Sequence, residues 1–127
     1  MQEYFFFIRK SNNSEKTLSP EKHLEFVKSC EVYIGKLKAE DRLISAQPII
    51  WEGKIISGKD NTWNESEFAI NGEVIRGYYH IRANDLNEAI SIAKQNPEFI
   101  YNEGTRIEVR PLKMKESQTG FVYPTKK

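Results

Sequence analysis

The order of elements in the sequence predicts an α+β fold, a ferredoxin-like split β-α-β sandwich with an inserted β-hairpin region. Three observations carry this. Residues 77–110 read as a strand, a capped helix and a second strand. Residues 4–50 repeat that order around a longer helix. Between them lies a glycine-bearing stretch, 51–75, with short apolar runs and an Asn-Gly pair. Two split β-α-β units place both helices on one face of a four-stranded sheet.

Tyr4 to Arg9 is aromatic and apolar on both faces, as a central strand covered on both sides would be. Ser19-Pro20-Glu21 starts the first helix with an N-cap serine, proline at the first helical position and an early acid. That helix is expected to run to about Glu40, with His23, Val27, Cys30, Ile34 and Leu37 on one apolar stripe. A second strand spans 42–50, and Pro48 assigns its far half to an edge or a bend. In the inserted stretch, Asn71-Gly72 between Ile70 and Val74 is the strongest hairpin signal. Tyr78 to Ala83 is the third strand. Asn84 or Asp85 caps the following helix, with Glu88 three residues after Asp85. Pro97 ends that helix, Gly104 turns the chain, and Arg106 to Arg110 alternates as the last strand. The expected organisation is a domain over 1–112, with 51–75 as inserted hairpins. A polar, lysine-rich C-terminal tail over 113–127 is flexible alone or docks on a partner through Phe121 and Tyr123.

Composition bounds the function. The 127 residues carry 19 basic and 18 acidic side chains, a formal charge of +1. No long-range field draws this chain to nucleic acid or an anionic membrane surface. The one cysteine, Cys30, is expected as a buried thiol. No run reaches membrane-spanning length, and Tyr4–Ile8 is too short for a signal-peptide core, so a cytoplasmic protein is expected. Two histidines and one cysteine make no zinc site, and neither a glycine-rich phosphate loop nor a nucleophile elbow is present. No metal and no cofactor are expected.

Alternation places Tyr78, His80 and Arg82 on one face of the third strand and Tyr79, Ile81 and Ala83 on the other. The apolar set is expected to face the helices. By the same parity Ile107 and Val109 face the helices, while Arg106, Glu108 and Arg110 face the open side. The open face needs a cover, and a second subunit in a two-fold dimer supplies it most simply. Tyr78, His80, Arg82 and Arg110 then line a cleft suited to a small anionic or carbonyl-bearing molecule, or form a satisfied polar interface. His23 in the first helical turn is a candidate base, since a helix N-terminus favours neutral imidazole. Glu65, Glu67 and Glu73 either cap the cleft from the hairpin region or are solvated charges.

Several stretches together resemble the YCII-related family, in particular its DGPF-like subgroup. They are the opening strand, Leu18-Ser19-Pro20-Glu21-Lys22, Asp41-Arg42-Leu43-Ile44-Ser45-Ala46-Gln47-Pro48, Gly77-Tyr78-Tyr79, the Asp-Leu-Asn-Glu-Ala helix start at Asp85, and Ile107 to Pro111. Of the Asp-Gly-Pro-Phe signature only Phe68 is kept, and Glu73 falls on the acid that follows it. The resemblance covers roughly residues 1–112 and implies a dimeric α+β barrel with a cleft where two sheets meet. It matches His23 to a histidine of a proposed catalytic His-Asp pair. The aspartate falls near Ala39 or Glu40, and Asp41 stands where a glycine is usual.

The resulting expectation is a small-molecule binder or enzyme working as a homodimer. Its acid/base chemistry on a lactone or small carboxylic acid would use His23 or His80 as catalytic residues. Tyr78, Arg82, Arg110 and Glu73 would bind the substrate. The alternative is a non-catalytic dimeric interaction or ligand-sensing module.

Overall fold

The computed structural model describes residues 1–11, 18–68 and 72–125. Its elements are β1 (Gln2–Ser11), α1 (Pro20–Ala39), β2 (Leu43–Pro48), β3 (Ile55–Lys59) and β4 (Thr62–Ser66). β5 (Glu73–Ala83), α2 (Leu86–Lys94), α3 (Glu98–Tyr101) and β6 (Arg106–Pro111) follow. Four strands make one sheet in the order β2-β5-β1-β6, with every neighbouring pair antiparallel. This is the ferredoxin-like order, with the two most apolar strands at the centre. β2 and β6 are the edges, and β2 ends at Pro48, where a lost ladder donor costs nothing.

The core lies between the sheet and the helices. Tyr4, Phe6 and Ile8 of β1 and Tyr79, Ile81 and Ala83 of β5 meet Tyr33 and Leu37 of α1 and Ala89, Ile92 and Ala93 of α2. Phe6 and Ile81 are fully buried, each contributing roughly 1.5–3 kcal/mol by leaving water. Ile107 and Val109 pack against the same cluster from β6, as their parity requires.

Both long helices begin as their sequences direct. The Ser19 hydroxyl accepts from the Lys22 N–H at 3.2 Å. Asp85 accepts from the Glu88 N–H at 2.8 Å, and the Glu88 carboxylate accepts from the Asn84 N–H at 2.8 Å. Helix α1 closes in a Schellman turn: Arg42 N–H donates to the Leu37 carbonyl and Asp41 N–H to that of Lys38. Asp41 takes the left-handed conformation, φ 57°, that such a turn requires.

The apolar stripe expected on α1 holds at Cys30, Ile34 and Leu37 and is corrected at His23 and Val27. Tyr33 and Leu37 are buried, Phe26, Cys30 and Ile34 are partly buried, and His23 and Val27 are exposed. The core contacts of α1 are concentrated in its second half, at Tyr33, Ile34 and Leu37. Phe26 leans on Tyr101 of α3 instead, with ring centroids 5.7 Å apart. Cys30 is half-buried, and burial with the nearby Glu98 carboxylate pushes its thiol up to about 11.

The inserted region holds a β-hairpin, as expected. Among the described residues β3 and β4 pair only with each other, and their two-residue turn is Asp60-Asn61. Both residues have positive φ, 52° and 66°, as a type I′ turn demands. Trp63 lies over Gly58, where an added Cβ would come within 2.5 Å of its ring. Of the Asn71-Gly72 signal, Asn71 lies outside the described residues; Gly72 has φ 77° and immediately precedes β5.

The segment after β6 is folded on its own chain. Lys115 bridges to Val122, Tyr123 N–H donates to the Met114 carbonyl, and Phe121 and Tyr123 pack edge to face. No described helix is long and apolar enough to cross a membrane.

Candidate functional site

The sheet face opposite the helices carries the concentrated chemistry. Along β1 the outward row is Glu3, Phe5, Phe7 and Arg9, and the antiparallel register sets Arg82, His80, Tyr78 and Ile75 against it. Polar groups stand at the two ends of this row with aromatic rings between them.

At one end His80 Nε2 donates to Glu3 Oε1 at 2.7 Å. Only 18% of the His80 side chain and 10% of the Glu3 side chain are exposed. Because the carboxylate can only accept, this bond fixes the proton on Nε2 and leaves the Nδ1 lone pair as the basic position of a neutral ring. Among the described residues Nδ1 has no hydrogen-bond partner. The Thr125 hydroxyl reaches the same carboxylate, 2.9 Å from Oε1 and 2.8 Å from Oε2.

The middle of the face is an aromatic shelf. Phe5 stacks on Tyr78 with centroids 4.9 Å apart and planes 8° apart, and it touches Phe7 at 5.0 Å and His80 at 5.6 Å. The Tyr78 hydroxyl pairs with Ser45 of β2 at 3.1 Å.

At the other end lies a cavity of about 330 Å³ lined by Arg9, Glu73, Arg106, Ile107 and Glu108. Its charges pair with one another: Arg9 with Glu73 at 3.1 Å and Glu108 at 3.0 Å, and Arg106 with Glu73 at 3.2 Å. Glu73 reaches this face through a β-bulge. The register passes from Ile8↔Gly77 to Arg9↔Ile75, leaving Arg76 as the extra residue. Strict alternation from Tyr78 would turn Glu73 toward the helices. The bulge reverses the phase, so Val74 is buried and Glu73 joins Arg9.

The structure therefore places Tyr78 and His80 together, with Glu73 farther along the same face. Arg82 sits beside Asp41, with Nη1 3.6 Å from its carboxylate. Arg110 pairs with Glu108 at 3.1 Å and is mostly exposed. His23 belongs to the helix layer on the other side of the sheet, near Phe26, and is not brought to His80. His23 and Asp41 stand at opposite ends of α1. Sequence reasoning missed Glu3, Phe5, Ser45 and Thr125. Glu3 had a usable signal, since it shares parity with Phe5 and Phe7. Thr125 had none.

A second group of titratable side chains lies under α3. Asn96 is fully buried, its Oδ1 accepts from the Glu98 N–H at 2.9 Å, and its Nδ2 has no partner among the described residues. Burial raises Glu98 above the usual carboxylate range against a hydrogen bond from Asn102 and the charges of Arg76 and Lys10. Burial likewise pushes up the Tyr33 and Tyr79 phenols, with the Asn96 amide opposing. Among the described residues no group of histidine, cysteine and carboxylate side chains is placed to hold a metal ion.

Fold and face together define a small ferredoxin-like α+β domain with a polar-aromatic open sheet surface. The family model for the YCII-related domain matches residues 3–113, and the chain belongs to that family. No curated protein matches it.

Proposed function

We propose that this chain binds a small carboxylic acid or lactone on the open sheet face, in a cleft that a second copy closes, with His80 as its acid–base residue. The observation that carries the reading is the Glu3–His80 pair, largely shielded from water beside the Phe5–Tyr78 stack. A histidine oriented by a carboxylate has a defined tautomer and an available lone pair, which is what proton transfer at a bound carbonyl compound needs. Tyr78 supplies a hydroxyl on the same shelf, and Arg82, Arg110 and the Arg9 end supply positive charge for a carboxylate. His23 stays a candidate only through its place in the YCII pattern. The partly kept Asp-Gly-Pro-Phe signature supports the DGPF-like subgroup, and a cytoplasmic location fits this reading.

A second reading is a non-catalytic dimeric interaction or sensing module. The mutual pairing of Arg9, Glu73, Arg106, Glu108 and Arg110 favours it, since a self-satisfied charge network suits an interface better than a vacant anion site.

The test is a crystal soaked with small carboxylates and lactones, alongside sedimentation. Bound density within hydrogen-bond reach of His80 Nδ1, lost in His80→Ala, is the expected result, in a two-fold dimer. A closed, dry cleft with no bound species replaces this reading with the interaction module, and a monodisperse monomer removes the dimeric cleft.

A further inference from the structure

We infer that the segment after β6 is a gate on the Glu3–His80 pair, and that its Thr125 hydroxyl holds the place of a ligand hydroxyl. This rests on the reading of the open face as a ligand site, and it adds a ligand class and a means of control.

The segment is anchored at its base and at its tip. At the base, Leu112 N–H donates to the Glu3 carbonyl and Gln2 Nε2 donates to the Leu112 carbonyl. At the tip, Thr125 donates to the Glu3 carboxylate. The hydrogen bonds in between, Glu116 with Phe121, Gly120 with Glu116 and Tyr123 with Met114, are internal to the segment. They fold the loop without holding it to the sheet. Phe121 and Val122 are more than half exposed. The tip contact is therefore one charge-assisted hydrogen bond, which a ligand hydroxyl replaces one for one.

The chemistry of the tip selects the ligand. Glu3 already takes the His80 proton donor, and the group it holds beside that bond is a neutral alcohol. An anionic group at this spot would face a carboxylate, so a ligand's own carboxylate must point away. Arg82 lies opposite Glu3 in the β1–β5 register and Arg110 opposite Phe5 in the β1–β6 register, on the same face. A flat ligand body would rest against the Phe5–Tyr78 shelf between them. The ligand class is a planar hydroxy acid, with its hydroxyl on Glu3 and its carboxylate toward the arginines.

The experiment uses the full chain as native protein, Thr125→Val and Thr125→Ser, titrated calorimetrically with 3-hydroxybenzoate and with benzoate. Apo samples are followed by hydrogen exchange of the amides at 121–125 and by the His80 ring-nitrogen resonances. A binding site that is open only part of the time loses apparent affinity in proportion. Thr125→Val is expected to bind 3-hydroxybenzoate about tenfold more tightly than native protein and in clear preference to benzoate, with faster exchange at 121–125. Thr125→Ser, which keeps the hydroxyl, should behave as native. Equal affinity in native and Thr125→Val protein overturns the gate and leaves the ligand site standing. A gain without preference for the hydroxylated probe overturns the hydroxyl assignment. Unchanged exchange and unchanged His80 resonances in Thr125→Val overturn the tip contact whatever binds. Binding of neither probe to any of the three chains overturns the ligand site, and the inference with it.

Discussion

The two faces of β1 are built from similar residues and put to different uses. Toward the helices, Tyr4, Phe6 and Ile8 are at most 4% exposed and sit in a continuous apolar core. Toward the open side, Glu3, Phe5, Phe7 and Arg9 alternate with them, and their neighbours are His80, Tyr78, Glu108 and Glu73. Aromatic rings dominate the middle of both faces, so hydrophobicity alone does not distinguish them. What differs is the company the rings keep. On one face most neighbours are apolar, and rigidity follows from packing. On the other, rings are interleaved with paired charges and an oriented imidazole, an arrangement that offers stacking, a base and positive charge together. The lesson is that a strand's open face can be as aromatic as its core face, and that the polar partners are what mark it as a candidate site.

The largest effect that tests this contrast is a pair of truncations. Phe6→Ala removes a fully buried ring and is expected to cost about 3–5 kcal/mol of unfolding free energy. Phe5→Ala, on the half-buried open face, should cost less than half of that in the same denaturant titration. Equal costs would mean that the open face is packed as tightly as the core, and the distinction would fall.

A smaller effect tests where the bulge sets the boundary between faces. Val74 is 6% exposed and Ile75 is 38% exposed. Val74→Ser should therefore destabilise by about 2–3 kcal/mol, and Ile75→Ser by about 1 kcal/mol or less. Strict alternation without a bulge predicts the opposite ranking, so an inverted order in thermal melts would remove the phase change that brings Glu73 to Arg9.

The smallest effect is a pH slope. Glu98 opens α3, and burial raises its folded pKa above that of the unfolded chain. The protonated form is then favoured by folding, so the stabilising contribution is complete below the unfolded value near pH 4.5 and is lost as pH rises through the raised folded pKa. Glu98→Gln keeps an acceptor for Asn102 and removes the titration. Its stability relative to native protein should improve as pH rises from about 4.5 through the raised folded pKa and then level off. Parallel pH profiles for the two proteins would show that Glu98 is not held in a water-poor setting.

Local signals and pattern were enough for much of the fold. Ser19-Pro20 and Asp85 start their helices because each supplies an acceptor or a preset φ within one turn, a property of a few adjacent residues. The alternation of Tyr78 to Arg82 against Tyr79 to Ala83 is likewise local, and it placed His80 and Tyr78 on the open face. The β-α-β repeat was enough for the sheet order, because split units leave few unknotted arrangements. The α1 stripe was legible at Cys30, Ile34 and Leu37 and not at His23 and Val27, because helical periodicity says which residues align and not how much of that line the core covers. The Asp60-Asn61 turn was not singled out, because two residues without glycine give a weak local signal and the pairing of Ile55–Lys59 with Thr62–Ser66 is what closes that hairpin.

The sequence by itself determined the classes of element, their order, the capped helix starts and the face on which His80 lies, because each depends on residues within a few positions of one another. Only the tertiary structure decided that Glu3 orients His80, that Thr125 reaches the same carboxylate from 122 positions away, and that a bulge brings Glu73 to Arg9. Those contacts join distant segments of the chain. Their geometry is set by strand register and by where loops return, and neither register nor return path is written in the local preferences of the residues that meet.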